Sequence, residues 1–166
     1  MGASIALMIF VTLQRLSELV LSRRNTSALL KKGAYEVASE HYPYIVALHA
    51  AWLAGLWLLA PGQPVNLIWL TVFVVLQGLR AWVLLTLGKH WTTRIIVLPG
   101  APLVTSGPYR FMHHPNYAVV VGEIAVLPLV FGLPFYAIVF SVLNATILTI
   151  RIRAENDALR KTMILK

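Results

Sequence analysis

Long apolar runs alternate with short polar segments along the whole chain. A helix needs about 20 predominantly apolar residues to cross a bilayer, and five runs come close to that length. They are Ile5–Leu21, Pro43–Ala60, Val65–Leu87, Tyr117–Phe131 and Pro134–Ile150. The pattern predicts an all-α, polytopic membrane protein with about five transmembrane helices.

The last two runs are short and are joined only by "GLP" at 132–134, which predicts a tight helical hairpin. The polar segment "RIRAENDAL" (151–159) follows, and we expect it to form a cytoplasmic C-terminal helix. The first run continues directly into "RLSELVLSRRN" without a small-residue cleavage site. It is therefore expected to be a retained span and not a signal peptide.

The amino-acid composition is also typical of a membrane protein. Of its 166 residues, 58% are hydrophobic and 12% are charged, too few polar residues to cover a soluble domain of this size. The net charge is +8, but the basic residues lie between apolar runs and not on one amphipathic face, which favours membrane topology over nucleic-acid binding. The chain has no Cys, which excludes disulfides and thiol catalysis.

The basic residues also predict an orientation. They follow the first, third and fifth runs, whereas the "PGQPVN" and "GLP" connections carry no charge. Because basic loops stay in the cytoplasm, we expect the N-terminus outside and the C-terminus inside, in the plasma or inner membrane.

The segment "RFMHHPNY" (110–117) gathers polar and titratable side chains directly before the fourth run. Pro115 suits the first turn of a helix, where its missing N–H has no effect. His113 and His114 would then lie at the membrane–water boundary. They are either site residues or simply the polar start of a membrane helix. No acidic or Cys partner stands at metal-ligand spacing from them.

Other polar residues fall at the same level of the predicted bundle. In the fifth run and its continuation, Asn144, Arg151 and Glu155 share one helical stripe, although Arg151 and Glu155 could also form a plain i,i+4 salt bridge. Glu123 is a carboxylate inside an apolar run, which by default faces a protein interior or a cavity. Gln77 and Arg80 share a face of the third run, although Arg80 could simply extend to the membrane surface.

The connection between the third and fourth runs, "GKHWTTRIIVLPGAPLVTSGPYR" (88–110), is too long for a minimal turn. Two β-branched pieces flank a Pro-Gly turn within it. Such a loop could cover the membrane helices, and its Gly and Pro residues would expose backbone groups to a ligand.

Together these motifs resemble those of the isoprenylcysteine carboxyl methyltransferase family of integral-membrane enzymes. The family pattern is roughly GPYR-x-x-RHP-x-Y before a hairpin and RI-x-x-E-E after it; here "GPYRFMHHPNY" and "RIRAEN" match most positions. The resemblance covers roughly the C-terminal half. It implies one domain over 1–166, with three spans in 1–87 and a cofactor-binding loop, hairpin and C-terminal helix in 88–166.

The resemblance implies an S-adenosylmethionine-dependent methyltransferase whose lipophilic acceptor enters from the bilayer. The cofactor would be held by Val104, Tyr109, His114, Pro115, Tyr117, Arg151 and Glu155. Arg110 would act at the acceptor oxygen, and His113 is the candidate base for a phenolic or enolic acceptor. Tyr109 or Trp91 would lie near the sulfonium.

Three departures from the family pattern bear on the acceptor. His113 stands where the family has Arg, Asn156 where it has a second acid, and Val119 where it has Gly. The acceptor classes left open are a prenylcysteine carboxylate, a long-chain alkylpyrone or alkylresorcinol, as in a bacterial branch that this chain also resembles, and a phospholipid amine. Outside this enzyme class, a small multidrug transporter using Glu18 or Glu123 and a non-catalytic membrane scaffold remain alternatives.

Overall fold

Five α-helices form the protein, which a computed structural model describes over residues 2–164, with side chains from 2 to 160. The helices are α1 (Gly2–Leu30), α2 (Tyr42–Leu59), α3 (Leu67–Leu87), α4 (Pro115–Val130) and α5 (Pro134–Ile164). Single 3₁₀ turns lie at Ser39–His41, Gly88–His90 and Gly107–Arg110, and two three-residue strands are β1 (Tyr35–Val37) and β2 (Ile95–Val97). The predicted all-α membrane fold is confirmed.

Four of these helices are long and apolar enough to cross a bilayer, and α4 is the shorter one. At about 1.5 Å per residue, its 16 residues reach about 24 Å, less than the roughly 30 Å of a hydrocarbon core. The end of α4 meets the start of α3. The Asn66 N–H, directly before α3, donates to the Val130 carbonyl at 2.8 Å, so the α2–α3 and α4–α5 connections lie at the same end of the bundle.

Helix α5 differs from its expected form. The fifth apolar run and the C-terminal helix are one continuous helix of 31 residues, because neither Gly nor a second Pro interrupts the sequence after Pro134. At about 1.5 Å per residue it reaches roughly 46 Å. Its second half therefore extends beyond the apolar part of the bundle, and it carries Arg151 and Glu155 there.

Apolar side chains from all the long helices fill the core. Met8, Trp52, Leu56, Phe73 and Leu127 are each no more than 2% exposed. The hairpin helix α5 is also tied to α2, since the Tyr136 hydroxyl donates to the Trp52 carbonyl at 2.8 Å. The apolar core is thus built without the polar groups that lie at one end of the bundle.

Four charged side chains form a buried network between α1, α3 and α4. Arg80 donates to Glu18 at 2.5 and 2.7 Å and to Glu123 at 2.5 Å. Arg15 also pairs with Glu18 at 3.2 Å and with Glu123 at 2.7 Å, and Gln77 donates to Glu123 at 2.8 Å. Arg80, 5% exposed, therefore joins this interior network and does not extend to the surface.

We name one end of the bundle the polar end. There α1 and α3 end, α2 and α4 begin, and the second half of α5 lies. Strand β1 pairs there with β2 in antiparallel register, with Glu36 opposite Ile96. The first β-branched piece of the long loop thus pairs with the α1–α2 connection, and no strand forms in the second piece (102–105). This strand pair holds the start of the long loop against the bundle.

Candidate active site

The candidate site lies at the polar end, where α4 begins beside the second half of α5. Pro115 is buried and occupies the first position of α4, as its fixed φ angle favours. His114 occupies the N-cap position, but its side chain makes no capping hydrogen bond. Its Nε2 instead lies 3.1 Å from Oδ1 of Asn156 on α5. His114 therefore does more than start the helix, because it joins α4 to α5.

One carboxylate is the centre of this contact. The Tyr117 hydroxyl donates to Glu155 Oε2 at 2.6 Å, a length typical of a bond to a charged acceptor. Nδ1 of His114 lies 3.9 Å from the same oxygen, and the Glu155 side chain is 29% exposed. Since Tyr117 follows His114 by three residues, both rings lie on one face of α4, with centroids 5.5 Å apart.

Arg151 is buried one turn before Glu155 on α5. Its Nη2 donates to the Thr93 carbonyl at 2.9 Å, while its Nε has no partner among the described residues. No ion pair within the described part of the chain joins Arg151 to Glu155. The alternative of a plain i,i+4 salt bridge therefore does not account for these two residues.

Tyr109 lies in the turn that ends the long loop, within the electrostatic influence of the same carboxylate. Burial and the negative charge of Glu155 raise the pKa of Tyr109 to about 12, and its ring is a neutral phenol near pH 7. Gly107, at the start of this turn, has a φ of +57°, and a Cβ there would lie 2.4 Å from Oγ1 of Thr86. The glycine lets the loop pass tightly over the end of α3 and so places Tyr109.

The two residues proposed for catalysis are more exposed than this group. Arg110 and His113 are both exposed, and the Arg110 guanidinium lies 5.0 Å from the centre of the Phe111 ring. Within the described residues, neither Arg110 nor His113 forms a hydrogen bond or an ion pair with Tyr117 or Glu155. Val104 is half-buried in the loop between β2 and the Gly107–Arg110 turn.

Three further residues contribute: Thr93, which the sequence did not single out, Asn156, noted only as a departure from the family pattern, and Trp91, expected near the sulfonium. Thr93 receives the Arg151 bond, and Asn156 pairs with His114. Trp91 is 2% exposed and donates from its indole to Asn116 at 3.3 Å. This places Trp91 in the packing of the loop. Of the two aromatic residues expected near the sulfonium, Tyr109 is the one whose pKa responds to the charge of Glu155. The sequence could not have indicated Thr93, because it contributes through its backbone carbonyl, which every residue has.

Asn144 is the least expected of these polar groups. It lies two turns deeper than Arg151 on the same stripe of α5 and is 1% exposed, yet neither atom of its amide has a partner among the described residues. Buried polar groups in proteins are nearly always paired. An unpaired amide at this place therefore points to a ligand.

Comparison with known proteins agrees with this arrangement. The isoprenylcysteine carboxyl methyltransferase (ICMT) family matches the chain over residues 67–161, which run from α3 to α5. The chain belongs to this family. The match includes all the side chains assembled around Glu155, and it makes the protein an integral-membrane methyltransferase.

Two bacterial relatives extend the similarity to the N-terminal helices. The uncharacterized protein YpbQ of Bacillus subtilis (strain 168) is 40% identical over 161 residues, covering 93% of this chain and 95% of the relative. An uncharacterized protein of Haemophilus influenzae (strain ATCC 51907 / DSM 11121 / KW20 / Rd) is 25% identical over 151 residues, covering 87% and 88%. No solved structure matches the chain.

Proposed function

We propose that this ICMT-family protein transfers a methyl group from S-adenosylmethionine to an oxygen of a lipophilic acceptor at the membrane interface. One observation carries the proposal: where apolar helices meet the polar end, Tyr117 donates to Glu155 at 2.6 Å and His114 lies 3.9 Å from the same oxygen, while 29% of the Glu155 side chain stays exposed. Such a place allows a polar cofactor and a lipid-soluble acceptor to meet.

The residues fit this cofactor. Bound S-adenosylmethionine supplies an activated methyl group on a sulfonium cation, with an amino-acid zwitterion beside it. Glu155 would accept from the amino group or a ribose hydroxyl, and the unpaired Nε of Arg151 would donate to the carboxylate. The neutral rings of Tyr109 and Tyr117 would attract the cation.

The remaining proposed contacts shape the site. Pro115 and Val104, buried and half-buried respectively, would form apolar walls, and His114 would hold the α4–α5 contact through Asn156. Since the cofactor is already activated, holding the two reactants in line would contribute most of the rate.

On the acceptor side, Arg110 would stabilise a carboxylate or phenolate oxygen, and His113 would take the proton of a hydroxyl acceptor. Both are exposed in the protein alone, so an acceptor arriving at the membrane surface can reach them. Asn144 would bind a polar group of the acceptor deeper in the bundle, where its amide has no protein partner.

A phospholipid N-methyltransferase remains the second candidate within this family. The transporter alternative is weaker, because the two membrane carboxylates it would use, Glu18 and Glu123, are both held by Arg80 and Arg15. A proton-carrying carboxylate needs to be free to titrate. A non-catalytic scaffold gives no reason for an unpaired Asn144.

The orientation belongs to the same proposal. With basic residues at the polar end, we place that end and the C-terminus in the cytoplasm and the N-terminus outside, in the plasma or inner membrane. The cofactor would then enter directly from the cytoplasm.

The experiment is methyl transfer in isolated membranes. Membranes containing the protein are incubated with methyl-labelled S-adenosylmethionine, and the label in the organic extract is compared for wild type, Glu155→Gln and the control Glu40→Gln, whose side chain is exposed. We expect extracted label with wild type and Glu40→Gln and a large loss with Glu155→Gln. Equal label from all three, or label no greater than in membranes without the protein, would contradict the proposal.

The extract also distinguishes the acceptor classes. A carboxyl methyl ester releases labelled methanol in mild alkali, whereas an aryl ether or an N-methyl group keeps its label. Label that elutes with phospholipids, is located in the head group and is not released by alkali would favour the N-methyltransferase candidate over the proposed oxygen acceptor.

A further inference from the structure

A cavity opens at the polar end, away from the residues around Glu155. It has a volume of about 630 Å³ and lies between the last turns of α1, the start of α2 and the β1–β2 pair. Its lining combines Leu19 and Val46 from the apolar helices with several charged residues. A cavity lined by both apolar and charged side chains, at the polar end of a membrane protein, suits an amphiphile.

The charged side is strongly positive. Arg23, Lys31 and Arg94 line the cavity with a single carboxylate, Glu36. Arg94 takes both oxygens of Glu36, at 2.8 and 2.9 Å. Neither Arg23 nor Lys31 forms an ion pair within residues 2–160, so two positive charges remain for an anionic ligand.

Thr26 gives an independent sign of a ligand. It lines the cavity and is 9% exposed, yet its hydroxyl has no hydrogen-bond partner among the described residues. One turn earlier Ser22, similarly buried, is paired with Thr93 at 2.8 Å. A buried hydroxyl without a partner is costly, and an oxygen acceptor held between Arg23 and Lys31 would satisfy it.

We propose that this cavity binds an anionic phospholipid, with its phosphate near Arg23, Lys31 and Thr26 and its acyl chains along Leu19 and Val46. Basic pockets between membrane helices on one side of a bilayer suit anionic head groups, and charge-assisted bonds to phosphate are among the strongest available. The apolar side favours a lipid over a free phosphate.

Contacts within the protein connect the residues that line the cavity near β2. The Arg94 guanidinium lies 4.2 Å from the centre of the Tyr42 ring, and the Thr93 hydroxyl pairs with Ser22 and with Tyr42. The carbonyl of the same Thr93 accepts from Arg151. A bound lipid would therefore border the segment that positions Arg151, although the proposal does not rest on methyl transfer.

The test uses the full chain, purified in detergent and delipidated, then titrated with phosphatidylglycerol or with phosphatidylcholine of the same acyl chains. Native mass spectrometry measures the bound lipid. The variants are Arg23→Gln with Lys31→Gln, the matched control Arg24→Gln with Lys32→Gln, and Thr26→Val. The control removes the same charge from neighbouring exposed positions that do not line the cavity.

We expect wild type to bind phosphatidylglycerol in preference to phosphatidylcholine. The Arg23 and Lys31 double variant should lose roughly tenfold or more of that affinity, as expected for lost bonds to a charged group. The control pair should keep it, and Thr26→Val should weaken it by a smaller factor while keeping the fold. Glycerol phosphate should not displace the lipid.

Three results would overturn the proposal. Equal losses in the two double variants would show diffuse attraction to a basic surface only. Equal binding of both lipids would show that the phosphate charge is not recognised. Displacement by glycerol phosphate at the lipid's own affinity would assign the cavity to a soluble anion.

Discussion

At the scale of single residues, the polar side chains of the candidate site and of the α5 stripe that leads to it divide into those that the protein itself pairs and those that it leaves unpaired. Tyr117 and His114 have protein partners on α5. Nε of Arg151 and the amide of Asn144 have none among the described residues. The unpaired groups are the sharper indicators of ligand positions, because folding alone gives no reason to bury them.

Asn144→Leu tests this reasoning. Removing a buried, unpaired amide and filling its place with a similar apolar volume should leave the thermal unfolding temperature in detergent unchanged or higher. The same change should raise KM for the acceptor, since a polar contact is lost. The checks are a thermal melt and a methyl-transfer titration. A clear fall in the unfolding temperature with unchanged KM would assign Asn144 a structural role instead.

His113→Arg tests the acceptor chemistry. The Arg of the family cannot act as a base near neutral pH, whereas a His can. For an alkylpyrone acceptor the change should lower the rate by about 10²–10⁴ while sparing cofactor binding. For a farnesylated cysteine analogue, whose carboxylate carries no proton, it should be neutral or helpful. Equal rates of both proteins on the alkylpyrone would remove His113 as the base.

The sequence indicated most of these residues but not their partners. The motifs at 107–117 and 151–155 contain Tyr109, His114, Tyr117, Arg151 and Glu155. Residues that share one face of a helix can be recognised from their spacing in the sequence. The Arg151–Thr93 bond and the exposed setting of Arg110 and His113 depend on how the loop folds over α3. Nothing in the local pattern specifies that.

At the scale of elements, the buried network joins α1, α3 and α4 through charges and not through apolar packing. Removing one member leaves an uncompensated buried charge, which costs about 3–5 kcal/mol. Glu123→Leu should therefore lower stability strongly by leaving Arg80 and Arg15 in excess. Denaturation in detergent, followed by the loss of helical circular dichroism, measures this.

The matched variant is Arg80→Met combined with Glu123→Leu, which removes one charge of each sign and leaves the Arg15–Glu18 pair. It should cost less than Glu123→Leu alone, since residues in contact are strongly coupled. Additive losses would mean that the two side chains act independently, contrary to the hydrogen bond between them.

Element boundaries show where hydropathy is informative. The third run was predicted at Val65–Leu87, and α3 spans Leu67–Leu87. The first was predicted at Ile5–Leu21, but α1 continues to Leu30. Hydropathy marks the part of a helix that lipid contacts and not the point where the helix ends. The β1–β2 pair was not predicted, because three-residue strands from distant segments have no periodic signature.

At the scale of the whole molecule, the alternation of five helices places every basic connection at the polar end. A reporter that is fluorescent only in the cytoplasm, fused after Lys166, should therefore be active, and an enzyme active only outside should be silent there. The same pair fused before Met1 should give the reverse result. Reversal of both fusions would contradict the proposed orientation, which follows from charge placement.

The account as a whole depends on the group around Glu155 being a cofactor site, and isothermal calorimetry of the purified protein with S-adenosylmethionine tests this most directly. Wild type and the exposed-residue control Glu40→Gln should bind with equal affinity. Glu155→Gln should bind roughly 10- to 100-fold more weakly, as the loss of one hydrogen bond to a charged group predicts. Its elution volume in size-exclusion chromatography and its unfolding temperature should stay unchanged. Absence of binding to wild type, or equal binding to Glu155→Gln, would contradict the account.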